Sequence, residues 1–202
     1  MPLIAGPKLT NFEDVNPDLR KEAIGLIADV LAKSKSSNRP RLIHLCGIPG
    51  AGKTRYAKQW ISQNCDFVCV QFDTVMEQLS GYCRDRSELG LANAFRKWEL
   101  PARAVGYHLF QSLVENRRNI LFDHSATSKS HIELIQNVKN MGYHTEMHYL
   151  SCSPDEAIRR VQQREKIIQR HTPEKLIHDR HNALPELLPV YESLVDVFVS
   201  VS

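Results

Sequence analysis

The chain has 202 residues, 42% apolar and 24% charged, with a formal net charge of +3. That length suits one domain with a sizeable core, and the proportions are those of a soluble globule. No apolar run approaches membrane-spanning length, no basic-then-apolar leader opens the chain, and so small a charge does not by itself imply nucleic acid.

In chain order, Asn16-Pro17 reads as a helix cap followed by proline at the first helical position. Leu19, Ala23, Ile24, Ile27, Val30 and Leu31 then fall along one side of that helix. KSKSSNRP (33–40) reads as a linker, so residues 1–40 form a helical extension and 41–202 the core of a single domain. RLIHLC (41–46) is short and apolar enough for a buried strand. It runs into Gly47-Ile48-Pro49-Gly50-Ala51-Gly52-Lys53-Thr54, the G-x-x-x-x-G-K-T pattern of a P-loop. Such a loop turns its backbone N–H groups onto a polyphosphate, with Lys53 at the terminal phosphates and the Thr54 hydroxyl on Mg²⁺. Tyr56, Ala57, Trp60 and Ile61 supply the apolar stripe of the helix that must follow.

Further strands are expected at FVCVQF (67–72), NILFD (119–123), EMHYLS (146–151) and VFVSV (197–201). Val105, Leu109, Leu113 and Val114 mark a helix before the third strand. Ser130 with Glu133 forms a capping box before a helix ending at Gly142, and Ser153-Pro154-Asp155-Glu156 repeats the box. Thr172-Pro173 opens another helix, and Pro185 begins the last. The alternation predicts an α/β fold with a mainly parallel five-stranded sheet and sites at the strand C-termini. The five cysteines are odd in number, include no C-x-x-C and fall mostly in apolar segments; buried reduced thiols in a cytoplasmic protein are expected.

A P-loop serves GTPases, ATPase motors and kinases alike. No N-K-x-D or D-x-x-G pattern supports a GTPase, and the chain is short for a motor. A small kinase needs a base for the acceptor hydroxyl, a carboxylate in the magnesium shell and mobile cations for the phosphoryl group. Asp73 follows the second strand as candidate base, and Asp123 ends the third as candidate magnesium carboxylate. Cations gather at Arg159, Arg160, Arg164, Lys166 and Arg170; Arg164 and Arg170 are favoured as lid residues, with Arg160 in reserve. Arginine suits a lid because its planar fork grips phosphate oxygens.

GIPGAGKT, FDT after the second strand, NILFDHSATSKSH, GYHTEMHYLS and RHTPEKLIHDRH, in that order, resemble the zeta-toxin family of P-loop kinases over nearly the whole chain. The resemblance implies ATP·Mg²⁺ on Lys53 and Thr54, Asp73 as general base, and Arg170 with Arg164 in the lid. It further implies phosphorylation of a sugar hydroxyl of UDP-N-acetylglucosamine and restraint by an antitoxin. Two departures stand out. Asp123-His124-Ser125 replaces the family's Glu-Gly-Thr, and 75–103 does not reproduce its substrate segment. That stretch offers Glu77, Glu88 and Glu99, of which Glu99 is the candidate for a substrate hydroxyl. Two other readings stay open: an RNA or nucleoside kinase with Arg117-Arg118 as a phosphate track, and a nucleotide-dependent binding module without turnover.

Overall fold

The computed structural model describes residues 12–168 and 172–201. After a short 3-10 turn at Phe12–Asp14, helix α1 spans Pro17–Lys33. Its cap is as the sequence reads, with Asn16 Oδ1 accepting from Asp18 N at 2.9 Å and Pro17 in the first turn. Strand β1 (Arg41–Cys46) leads through the glycine loop into α2 (Lys53–Gln63). Strand β2 (Phe67–Val70), α3 (Phe72–Glu77), α4 (Ser80–Leu89) and α5 (Leu91–Glu115) follow. Then come β3 (Asn119–Phe122), α6 (Ser130–Asn140), β4 (His144–Leu150), α7 (Pro154–Ile168), α8 (Glu174–Leu194) and β5 (Val197–Val201).

The five strands form one sheet in the order β2-β3-β1-β4-β5, every pairing parallel. β1 and β3 at its centre are buried almost throughout, as parallel strands covered on both faces must be. Helices α1, α3 and α4 gather around α5, while α6 and α7 pack on α8. The chain travels to one side of β1 for β2 and β3 and to the other for β4 and β5. This reversal opens a crevice at the strand C-termini, where α/β sheets bind ligands.

Several boundaries differ from the sequence reading. The second strand stops at Val70, because Phe72 and Asp73 already belong to the first turn of α3. Ser130 makes no capping box: it is the first residue of α6, and its hydroxyl meets Ser128 Oγ at 3.0 Å. At α7, Glu156 N does donate to Ser153 Oγ, but the Glu156 carboxylate turns to Arg159 and Arg160. Pro185 starts no helix. It lies inside α8, which continues through Pro185 and Pro189 because Ile177, Leu184, Leu187 and Tyr191 bury one continuous face. The thiols are free, but only Cys46 is buried; Cys65, in the turn after α2, and Cys83, on the outer side of α4, are exposed. No helix among the described residues is long and apolar enough to cross a membrane.

Candidate active site

The strand ends meet in register and carry the loop with them. Phe122 pairs with both His44 and Val70, Asp123 N donates to Val70 O at 3.0 Å, and Gly47 N donates to Ser125 O at 3.1 Å. The glycine loop is thereby fastened to the end of β3. Gly47 has φ +143° and a Cβ there would sit 2.7 Å from Leu150 O; Gly50 has φ +89° and would meet Ala157 O at 2.5 Å. Neither position admits a side chain, and the second holds the loop against the first turn of α7.

A cleft of about 690 Å³ opens above these strand ends. Its floor is the loop from Pro49 to Thr54 at the N-terminus of α2, where unpaired backbone N–H groups and the helix dipole favour an anion. Lys53 Nζ donates to Gly47 O at 2.8 Å and Ile48 O at 2.9 Å. Burial lowers its pKa to about 8, with Asp123 opposing and Arg180 assisting that change. Asp123 Oδ2 accepts from Thr54 Oγ1 at 3.0 Å and from Gln71 Nε2. Burial raises the Asp123 pKa, while Lys53, Gln71 and Thr54 work to keep the carboxylate charged. The Thr54 hydroxyl and Asp123 carboxylate present adjacent hard oxygens, a donor set that fits Mg²⁺ sharing its shell with phosphate and water.

The other predicted residues distribute unevenly. Asp73 is exposed on the first turn of α3 and lines the same cleft as Asp123. Glu99 also lines it, bonded by Arg103 Nη2 at 3.1 Å one turn along α5. Glu77 joins the lining; Glu88 does not. Arg164 reaches the cleft and donates to Thr172 Oγ1 at 3.4 Å, and Arg160 lines it as well. Arg159 and Lys166 stay outside it, Arg159 forked onto Glu156 at 2.8 Å through two bonds. Arg170 lies outside the described residues. Arg117 and Arg118 form no phosphate track: at the opposite end of β3, they donate to Asn38 O, Met141 O and Leu31 O and tie the linker to the core.

Sequence reasoning missed Arg180, Arg103, Arg55, Lys58 and His124, all of which line the cleft. Arg180 had a usable signal, since Leu176 and Arg180 lie four apart on α8 and share the face that follows Pro173 into the cleft. His124 had none. It stacks at 4.3 Å on His131, whose Nδ1 lies 2.9 Å from His44 Nε2, and burial holds all three imidazoles well below their usual pKa.

No curated protein matches the sequence. The structure is similar to one from the PezAT chromosomal toxin–antitoxin system of Streptococcus pneumoniae, with TM-score 0.69 and 18% identity over 89% of this chain and 78% of that one. It is also similar to the AvrRxo1-ORF1:AvrRxo1-ORF2 complex with ATP, with TM-score 0.67 and 17% identity over 94% of this chain and 66% of that one. This chain therefore spans just under two thirds of the second protein, and at such identities the likeness concerns the fold. The family model described as Zeta toxin matches residues 26–200, from α1 to the last strand. With that match across a P-loop kinase fold, the chain belongs to the Zeta toxin family.

Proposed function

We propose that the chain is an ATP-dependent kinase of the cytoplasm that moves the γ-phosphoryl group of ATP to a hydroxyl of a small molecule. One observation carries the reading. The loop lysine, the Thr54–Asp123 pair, the exposed carboxylate of Asp73 and the arginines of α7 and α8 all line a single cleft.

In this reading the loop N–H groups and Lys53 hold the β- and γ-phosphates, with Lys53 exchanging its two loop carbonyls for phosphate oxygens. Thr54 and Asp123 hold Mg²⁺, which when bound screens the phosphate charge. Asp73 takes the proton from the acceptor hydroxyl as its oxygen bonds to the γ-phosphorus. The bond from that phosphorus to the bridging oxygen breaks, and ADP leaves with the electron pair. Arg164, Arg180 and Arg170 answer the charge spread over the transferring oxygens. Glu99, held by Arg103, accepts a hydrogen bond from the acceptor.

The acceptor in this proposal is a nucleotide sugar of the UDP-N-acetylglucosamine type, and the protein partner is an antitoxin. Family membership supports both, and the PezAT neighbour is described as part of a toxin–antitoxin system. The test is incubation with ATP·Mg²⁺ and UDP-N-acetylglucosamine, read by mass and ³¹P NMR for a monophosphorylated sugar nucleotide. No product there, alongside a labelled compound in a metabolite extract, would discard the sugar nucleotide and keep the kinase. ATP binding without turnover on any acceptor would replace the kinase by a binding module.

A further inference from the structure

The Asp123 carboxylate is gripped through a single oxygen. Thr54 Oγ1 of α2 donates to its Oδ2 at 3.0 Å, and Gln71 Nε2 donates to the same atom; Oδ1 accepts no hydrogen bond among the described residues. Gln71 stands at the N-cap position of α3 in an extended conformation, φ −130° and ψ 125°, yet its side chain makes no bond to the helix end. The amide is spent on Asp123 instead. An ionised carboxylate only accepts, so Nε2 faces Asp123 and Oε1 is left facing away. There Thr74 Oγ1 donates to Oε1 at 3.0 Å, which fixes which way round the amide sits. Thr54, Gln71, Thr74 and Asp123 all line the cleft. An aspartate carboxylate otherwise turns in a broad, two-fold well about χ2, and two donors on one oxygen remove that freedom.

Resting on the kinase reading above, we propose that Gln71 is a positioning residue for the magnesium site, oriented in turn by Thr74. With Oδ2 of Asp123 committed to Thr54 and Gln71, Oδ1 is the oxygen left for the metal and its waters. A hydroxyl that gives a lone pair to a metal keeps its proton to donate, so the bond from Thr54 survives loading of the site. An amide suits position 71 because it donates without charge. A lysine or arginine there would oppose the cation, and a glutamate would set a second carboxylate against Asp123 while supplying no donor. Outer partners of metal ligands typically carry about 10–100-fold in metal affinity. Asp73 lies between Gln71 and Thr74 in the chain, so the turn that begins α3 carries both the proposed base and the support of the metal carboxylate.

The test is isothermal titration of the whole chain with the non-hydrolysable analogue AMP-PNP, once in excess Mg²⁺ and once in EDTA, for the parent, Gln71→Ala, Gln71→Glu and Thr74→Val. Mg²⁺ should tighten AMP-PNP binding in the parent. In Gln71→Ala binding in Mg²⁺ should weaken by about tenfold or more, with affinity in EDTA kept and a cooperative melt retained. Thr74→Val removes an exposed hydroxyl, should lose part of the same gain, and decides the matter if the alanine variant does not fold. Gln71→Glu should do no better than alanine. A full Mg²⁺ gain in Gln71→Ala or in Thr74→Val would overturn the proposal. Tighter Mg²⁺-dependent binding in Gln71→Glu would overturn it too, by making position 71 a metal ligand, as would equal losses with and without Mg²⁺. A parent that binds AMP-PNP equally well in Mg²⁺ and EDTA removes the metal site beneath the proposal; a parent that does not bind it removes the nucleotide reading. Either takes the proposal with it.

Discussion

Replacing Lys53 by methionine should stabilise the ligand-free protein while destroying its activity. Lys53 stands at the start of α2 with its ammonium 2.8 Å from Gly47 O and 2.9 Å from Ile48 O. Burial, the largest influence, moves its pKa from the ordinary 10.5 to about 8 in spite of the Asp123 carboxylate. A change of that size corresponds to about 3 kcal/mol spent on keeping the charge in the folded chain at neutral pH. The cleft admits water, so this is an upper bound. Methionine keeps the length of the apolar stem and removes the charge; Ile48 O keeps its bond from Ala51 N, while the carbonyl of buried Gly47 loses the lysine donor, a loss that offsets part of the gain. Lys53→Met should therefore raise stability at pH 7 by up to about 3 kcal/mol, or roughly 6–12 °C in Tm for a domain of this size. The sign follows from the depressed pKa. The gain is complete below the folded value of about 8, shrinks as pH rises from there to 10.5, and vanishes once folded and unfolded chains both hold neutral lysine. Thermal melts of both proteins at pH 7 and near pH 10.5 check the magnitude and the pH window. A variant that melts at or below the parent at pH 7, or that keeps its full gain at the higher pH, would refute the argument.

Asp73→Asn should leave folding intact, since the residue is exposed, and lower phosphoryl transfer by about 10²–10⁴-fold with AMP-PNP affinity unchanged. If Asp123→Asn shows that profile and Asp73→Asn is active, the two carboxylates have exchanged roles. Arg164→Ala and Arg180→Ala should each lower kcat more than they raise the KM for ATP, with poor rescue by lysine because a point charge lacks the arginine fork. Full activity in both variants would remove α7 and α8 from the reaction. Acid should unfold the protein through its histidines: burial lowers His44 to about 4 and holds His124 and His131 well below their usual range. The unfolded chain takes up protons from about pH 6.5 downward that the folded chain refuses, so stability falls below that pH. Denaturant titrations between pH 7.5 and 5 measure the slope, which His131→Phe should flatten; an equal slope in the variant would falsify the assignment.

Features whose causes are local could be read along the chain. The glycines and Lys53 of the loop, the Asn16-Pro17 cap and the apolar runs of β1 and β3 each depend on residues a few positions apart, so their patterns are visible along the chain. Local rules failed where packing overruled them. Pro185 reads as a helix start, yet the buried stripe of α8 carries the helix through it. Ser130 reads as a cap, yet its hydroxyl found Ser128. Which distant residues share the cleft depends on how the strands are ordered in space. Asp73 and Asp123 line it together because β2 and β3 are parallel neighbours that end level with each other beside β1, an arrangement set by strand order and not by any spacing in the chain. Arg103, Arg180 and His124 belong to the cleft, while Arg117 and Arg118 hold the linker at the far end of β3. A charged side chain carries the same chemistry wherever it stands in a sequence; the fold decides whether it faces a phosphate, a backbone carbonyl or open water.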